Sequence, residues 1–278
     1  MTLRESLSVA TDRLAPISET PRLDAELLLA HAIGLTRTKL LAQLRDSIPV
    51  PQAFETFLQR RLDHEPIAYI MGTWEFFSLE FSTRPPILVP RPETEHLVEA
   101  ALAAVKAAKS DSLRVLDLCT GSGCVAITIA KSAPETRVTA TDLNPEALAL
   151  ARENALRHEV QIEFHEGDLF QALPADAVFD LIVSNPPYVA DDEWPTLSPV
   201  IQKHEDPRAL LAGEEGLDFI RTIVTQAPRH LAASGFLALE IGDNQRDAVA
   251  GILQEGGFDN IRFHKDLAGI ARIAEGRL

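Results

Sequence analysis

Four consecutive residues, Asn185, Pro186, Pro187 and Tyr188, close the stretch FDLIVSNPPY and bring together the groups best suited to chemistry on a polar ligand. Asn185 carries a carbonyl acceptor and an NH2 donor on one short side chain. Neither proline has a backbone N–H, so the chain cannot continue a sheet ladder there. The Pro186 carbonyl is left with no N–H at position 187 to occupy it, and Tyr188 adds an aromatic face. Taken alone, the four residues are equally well read as a strand followed by a rigid turn.

Their setting changes that balance. Phe179, Leu181, Ile182 and Val183 make a short apolar, β-branched run of the kind that forms a buried parallel strand. Asn185 then stands at the carboxyl end of a core strand, where open α/β sheets hold their ligands. Three other strand ends carry polar groups. DLCTGSGCVA, Asp117 to Ala126, places Gly121 and Gly123 in a tight turn ahead of a helix N-terminus. This turn satisfies the dinucleotide pattern G-x-G-x-x-A, with Asp142 at ribose-binding distance, so a nicotinamide oxidoreductase competes on this motif. Asp142 closes the second strand with a carboxylate that can accept from both ribose hydroxyls. Asp168, in GDLF, closes the third, where an adenine amino group could donate to it. Four successive polar strand ends make one continuous site, suited to a nucleoside with a short charged tail and no diphosphate.

The elements that must position these groups follow an alternating pattern from Ser112 onward. Strands LRVLDLC, RVTATD, VQIEFHEGD, FDLIVSNP and GFLALEIG alternate with helices over 124–133, 145–158, 216–232 and one ending near 255, followed by two short strands. Such alternation predicts a doubly wound sheet covered by helices. The first 66 residues read instead as helices, over Thr2–Leu14, Thr20–Ile33, Arg37–Leu44 and Pro51–His64, with no catalytic spacing. A hairpin is expected over Trp74–Phe81, and prolines at 85, 86, 90 and 92 mark the junction that follows. Pro92, Glu93 and Glu95 then form the first turn of a helix through Ala108, their acids near its positive end. This gives a division into 1–72 (helical, docking), 73–90 (hairpin linker) and 91–278 (the α/β domain).

Bulk properties narrow the function classes. The 278 residues are 46% apolar, enough for a sizeable core, and no apolar run approaches a membrane span. The expectation is a soluble, cytoplasmic, monomeric protein without membrane association. Net charge is −15, with 8 basic and 9 acidic side chains in residues 1–72 against 18 and 32 in residues 73–278. So acidic a domain argues against direct, non-specific nucleic-acid binding. Cys119 and Cys124, the only cysteines, are read as reduced, and no metal site is expected. His64 and His204 stand beside carboxylates and are read as solvated loop residues. Glu93, Glu95, Glu240 and the segment Glu205–Arg208 are left as groups that line the site or simply cap and pair.

The series of strand ends resembles the seven-stranded S-adenosylmethionine-dependent methyltransferases. HEPIAYIMG, VPRPETEHLVE, DLCTGSGCVAI, SNPPYV, HEDPRALLAGEEGLDFIR and DLAGIARIAEGRL occur together and in order, and on these the chain resembles the release factor glutamine methyltransferases over nearly its whole length. The resemblance implies a seven-stranded Rossmann-like domain behind a small all-α domain and a β-hairpin. It also implies transfer from S-adenosyl-L-methionine, leaving S-adenosyl-L-homocysteine, to the glutamine of the Gly-Gly-Gln motif in peptide chain release factors. Carried over, Cys119, Thr120, Gly121, Ser122 and Gly123 wrap the methionine end, Asp142 holds the ribose, and Asp168 with Leu169 the adenine. Asn185 to Tyr188 bind the glutamine amide, with Asn185 also beside the cofactor. Cys119 stands where many relatives have Gly, and Leu169 where some have an aromatic. Ribosomal protein L3 glutamine methyltransferases and NPPY-type nucleic-acid amino methyltransferases are the neighbouring alternatives. A non-catalytic cofactor-binding module is the alternative outside enzymes.

Overall fold

The computed structural model describes residues 2–46, 48–108 and 112–278, and the chain divides into two compact units. One comprises the chain up to Thr73 together with Leu197–Glu205; the other comprises Trp74–Thr196 and Asp206–Leu278.

The first unit is helical: α1 Leu3–Leu14, α2 Pro21–Ala32, α3 Arg37–Ala42, α4 Gln52–Leu62 and α5 Ile67–Met71. A reciprocal capping box between Thr2 and Glu5 starts α1, and Thr36 caps α3. Leu3, Leu7, Leu14, Leu28, Leu29 and Leu58 are buried. Among them lies an ion pair, Arg61 Nε to Asp24 at 2.8 Å, with the Ser18 and Thr20 hydroxyls also donating to Asp24. Arg60 pairs with Glu65, and Arg61 reaches the Glu65 carbonyl, so the HEP turn is tied back to α4. Helix α5, too short to show a helical period in the sequence, starts after Pro66 and ends at Gly72 with φ +75°. The histidines differ from expectation. Both are half-buried; His64 Nδ1 and His204 Nε2 have no hydrogen-bond partner among the described residues, and burial lowers the His64 pKa.

A hairpin, β1 Thr73–Phe76 and β2 Leu79–Ser82, lies in the second unit from Trp74 onward and precedes α6 Glu95–Ala108. Then come β3 Arg114–Leu118, α7 Cys124–Ser132, β4 Arg137–Asp142, α8 Pro145–Arg157, β5 Ile162–Glu166 and β6 Phe179–Ser184. The segment after β6 carries α9 Pro199–His204, which belongs to the helical unit. The remaining elements are α10 Asp218–Gln226, β7 Leu231–Glu240, α11 Arg246–Glu255, β8 Asp259–Lys265 and β9 Ala271–Arg277. The single helix expected over 216–232 is shorter, because Pro228 allows only a 3-10 turn after Gln226 and β7 begins at Leu231.

Among the described residues, seven strands form one sheet in the order β5-β4-β3-β6-β7-β9-β8. β9 runs antiparallel to β7 and β8; the rest are parallel. Successive residues face opposite sides. Val115, Val183 and Ala238 join Leu97, Val98, Ile127 and Ile129 in one cluster. Leu116, Ile182 and Leu237 join Ile220, Ile223, Val249 and Leu253 in another. Both faces of the central strands are therefore covered, which accounts for their unbroken apolar sequence. From β3 the chain winds outward through β4, and β6 lies on the other side of β3. The crevice between β3 and β6 is thus the topological switch point.

Buried Asn154, on α8, fastens the hairpin to this sheet. Its Oδ1 accepts from Ser82 N at 2.7 Å, and its Nδ2 donates to the carbonyls of Ser82 and Ser122 at 3.2 and 2.9 Å. Asn154→Ala should cost about 2–4 kcal/mol, since three backbone groups lose partners. Urea unfolding of the variant reads this directly, and a loss under about 0.5 kcal/mol contradicts it.

Candidate active site

Asp117 begins the site from beneath. It is buried on β3, and one of its oxygens accepts from Thr120 Oγ1 at 2.6 Å and Ala126 N at 3.2 Å. This folds residues 118–123 back over the strand. The turn needs left-handed backbone at Cys119 (φ +59°), Gly121 (φ +57°) and Gly123 (φ +83°). Glycine adopts such angles without strain, so the frequent Gly of relatives at position 119 has a physical reason. A Cβ on Gly123 would meet Ile127 Cδ1 at 2.9 Å and Ala151 Cβ at 3.0 Å, so glycine also lets α7 pack against α8.

A cleft of about 410 Å³ opens at the carboxyl ends of β3, β4, β5 and β6. Cys119, Gly121, Asp142, Asp168, Leu169, Asn185 and Pro187 line it. Thr120, Ser122 and Gly123 are not in its wall; they shape the turn from behind. Pro186 and Tyr188 also lie outside the wall. Asp142 Oδ2 accepts from Gly121 N and its Oδ1 from Asn144 N, both at 2.8 Å, and burial raises its pKa against those bonds. Leu169, like Cys119, holds a left-handed φ, +47°. Two non-glycine residues in this region sit in one cleft, as is common where backbone is constrained for binding. Several wall residues carried no signal in the sequence: Pro86–Leu88 from the hairpin's exit, Leu143, and Phe219 from α10. Asp206 and Arg208 of the EDPR segment also line it.

Four side-chain hydrogen bonds anchor the NPPY end. Ser184 Oγ donates to the Leu118 carbonyl at 2.8 Å, tying β6 to β3. Gln245 Nε2 donates to the Tyr188 carbonyl at 2.9 Å. Asn185 Nδ2 donates to Thr94 Oγ1 at 3.1 Å, and the Tyr188 hydroxyl donates to Glu240 Oε1, also at 3.1 Å. Burial pushes the Glu240 carboxyl up to about 7, held down in part by the Thr94 and Tyr188 hydroxyls. The Tyr188 phenol is raised by burial and by Glu240 beside it. Glu95, expected to serve its own helix, accepts from Phe77 N at 2.7 Å and holds the hairpin instead. Both thiols are raised by burial, Cys124 to about 12, which favours their protonated form.

Comparison with known proteins agrees with this geometry. Residues 95–202 match the family described as Methyltransferase small domain, and residues 5–72 the PrmC N-terminal domain. A methyltransferase of known structure from Pyrococcus furiosus is similar in fold, with a TM-score of 0.53, 19% identity, and coverage of 73% of this chain and 90% of that one. Fold, matched family and strand-end site together define a seven-stranded, S-adenosylmethionine-dependent methyltransferase. A release factor glutamine methyltransferase of Neisseria gonorrhoeae is 40% identical over 96% of this chain and 97% of its own. One from Vibrio cholerae is 42% identical, over 100% and 97% respectively. The chain belongs to the release factor glutamine methyltransferase family.

The residues present fit S-adenosylmethionine. The side of Gly121 on which a Cβ would stand is open space, with no atom within 4 Å, so the backbone is accessible to a ligand there. The cleft joins a carboxylate, Asp142, to apolar walls at Ile87, Leu143 and Leu169, as a ribose with an attached adenine requires.

Burial raises the Asp117 carboxyl from 3.8 to about 7. The folded state therefore holds that proton more tightly, and the associated stability is lost as pH climbs from about 4 through 7. Asp117→Asn keeps an oxygen for both hydrogen bonds but does not titrate. The wild-type melting temperature, less that of the variant, should fall by on the order of 5 °C between pH 4 and 8. A difference that stays constant with pH would show that Asp117 titrates normally.

Proposed function

We propose that this enzyme methylates peptide chain release factors, on the side-chain amide N5 of the glutamine in their Gly-Gly-Gln motif. The observation that carries the reading is the bond from Asn185 Nδ2 to Thr94 Oγ1 at 3.1 Å. It commits the NH2 of Asn185 to the protein and leaves Oδ1 as an acceptor beside the cleft that Asn185 lines. Family membership, with matches spanning both the helical and the α/β regions, supports the release factor as substrate.

S-adenosylmethionine, when bound, supplies an electrophilic sulfonium methyl. Cys119 and Gly121 hold its methionine end, on the turn that Thr120, Ser122 and Gly123 shape. Asp142 accepts from the ribose, and Asp168 and Leu169 contact the adenine. The chain's remaining task is to make an amide nitrogen react. That nitrogen is a poor nucleophile, because its lone pair is delocalised into the carbonyl. Asn185 Oδ1 and the Pro186 carbonyl accept its two N–H bonds, fixing the NH2 plane with one π face turned toward the cofactor. As the nitrogen takes the methyl, whose bond to sulfur breaks to leave a neutral thioether, it gains positive charge. Both acceptors stabilise that charge more than they stabilise the ground state, and one N–H proton then departs along its hydrogen bond to solvent. Pro187 closes the turn, and Tyr188, anchored by Glu240, flanks the amide. Proximity and orientation supply the rest.

Methyl transfer from labelled S-adenosylmethionine should be measured with intact release factor, its glutamine-substituted variant, ribosomal protein L3 and DNA in separate reactions. One methyl on the Gly-Gly-Gln glutamine, located by mass spectrometry and lost in the substituted factor, is expected; label on L3 or DNA alone overturns the substrate. Asn185→Ala should lower turnover roughly 10²-fold, the scale for one positioned polar group, without unfolding the protein. Asp142→Ala should weaken S-adenosylmethionine binding about tenfold or more by calorimetry, and unchanged affinity would remove its ribose role.

A further inference from the structure

A turn built on two prolines offers its surroundings little main chain to hold. Pro186 and Pro187 have no N–H, so this stretch is gripped from outside through carbonyls and side chains. Beyond it the chain is secured again: Val189 N donates to the Leu210 carbonyl at 2.8 Å, and Ala212 N to the Val189 carbonyl at 2.9 Å. Gln245, at the start of α11, takes hold in between. Its Nε2 donates to the carbonyls of Tyr188 and Gly216 at 2.9 and 3.1 Å, with that of Glu215 farther off at 3.4 Å. Its Oε1 accepts from Gly242 N at 2.8 Å. A flipped amide would set oxygen against carbonyls and NH2 against an N–H, so one orientation is fixed. Two glycines let the segments close on this amide. A Cβ on Gly216 would collide with the Tyr188 carbonyl oxygen, and one on Gly242 would stand 3.0 Å from Gln245 Oε1 and 3.2 Å from Tyr188 Cδ2. Glu240, two residues before Gly242, accepts from the Tyr188 hydroxyl at 3.1 Å.

We propose that Gly242 and Gln245 are positioning residues for methyl transfer, forming with Glu240 a clamp that holds Tyr188 by its carbonyl, ring and hydroxyl and so fixes the neighbouring acceptors of Asn185 and Pro186. The inference rests on the glutamine-methylating role of those acceptors proposed above. All three residues come from one short string, EIGDNQ, which leaves the carboxyl end of β7. None of them lines the cleft. They act through Tyr188, along a short lever. Only Pro187 separates Tyr188 from Pro186, and both prolines have φ locked by their rings, so a shift of Tyr188 passes to the Pro186 carbonyl with little loss. Alignment is what this turn contributes to a weak nucleophile, and a misplacement of about 1 Å costs on the order of 10²-fold in rate. The cofactor's side of the cleft is built elsewhere: Gly121, Asp142 and Asp168 follow β3, β4 and β5, across the sheet from β7. Loosening the clamp therefore slows the transfer and leaves S-adenosylmethionine binding in place.

The test uses the full-length chain with intact release factor and labelled S-adenosylmethionine, with single-turnover rates read alongside kcat so that slow variants are still measured. Gln245→Ala should lower kcat about tenfold or more, while KM for the release factor and S-adenosylmethionine affinity by calorimetry stay within about twofold. Gly242→Ala, which crowds the Tyr188 ring, should lower the rate roughly three- to tenfold. Placed in a Tyr188→Ala background, the same Gly242→Ala change should cost less than about twofold more, because the ring it acts through is gone. Asp243→Asn, an exposed change within the same string, should leave kcat at the wild-type level. Should Gln245→Ala fail to melt cooperatively, the Gly242 and Tyr188 cycle decides alone. Full kcat in Gln245→Ala, a Gly242→Ala loss that is equal with and without the Tyr188 ring, or S-adenosylmethionine affinity that falls in step with kcat would each overturn the clamp. A wild-type enzyme that binds cofactor but does not methylate glutamine would instead overturn the proposed function.

Discussion

The bonds that Asp117 accepts from Thr120 Oγ1 and Ala126 N organise the rest of the α/β unit. The central strand β3 must hand over to α7 within a few residues, and both elements are buried. A helix starting inside a protein leaves its first N–H groups without partners, and water is not there to take them. The Asp117 carboxyl supplies that acceptor from below. The upper side of the turn is then free to face the cleft, and Gly121 N can turn outward to Asp142. A surface turn would need no such buried acid. The raised Asp117 carboxyl is the cost of building a ligand-facing turn over a dry core.

The same constraint explains why acidic strand ends do different work. Asp117, Asp142 and Glu240 all end or nearly end strands at one edge of the sheet, and burial raises all three. Only Asp142 lines the cleft. Asp117 is sealed beneath the turn, and Glu240 is sealed behind Thr94 and Tyr188. The distinction lies in where each carboxyl is held. Asp142 accepts from backbone N–H groups at the rim and leaves room for a ligand, whereas Asp117, bonded to Thr120 Oγ1 and Ala126 N, and Glu240, bonded to the Tyr188 hydroxyl, are enclosed by the core.

Much of this is legible in the sequence because it depends on local periodicity. The apolar runs of β3 and β6 and the glycines of the turn are enough, as a pattern, to put a cleft at the switch point. What is not legible depends on contacts distant along the chain. Leu197–Glu205 follow NPPY closely in sequence yet belong to the helical unit, and nothing local marks that exchange. HEPIAYIMG, the most distinctive string of the N-terminal region, folds as a structural corner: Arg61 pairs with Asp24, Arg60 with Glu65, and Gly72 ends the helix. Pro86–Leu88 read as a break between domains but form a wall of the cleft. Proline predicts where regular structure stops, not what the stopped chain then touches.

The residue that best illustrates the limit is Thr94. In VPRPETE it is flanked by two glutamates, and helix-start chemistry accounts for the whole string without reference to a ligand. Its importance comes from Asn185, 91 positions away, which reaches it only once β6 is in place in the sheet. NPPY supplies acceptors, but an acceptor on a rotatable amide is defined only by what holds the amide's other end. The specificity of such a motif for one kind of nitrogen therefore resides partly outside it, in a hydroxyl that the motif itself does not contain.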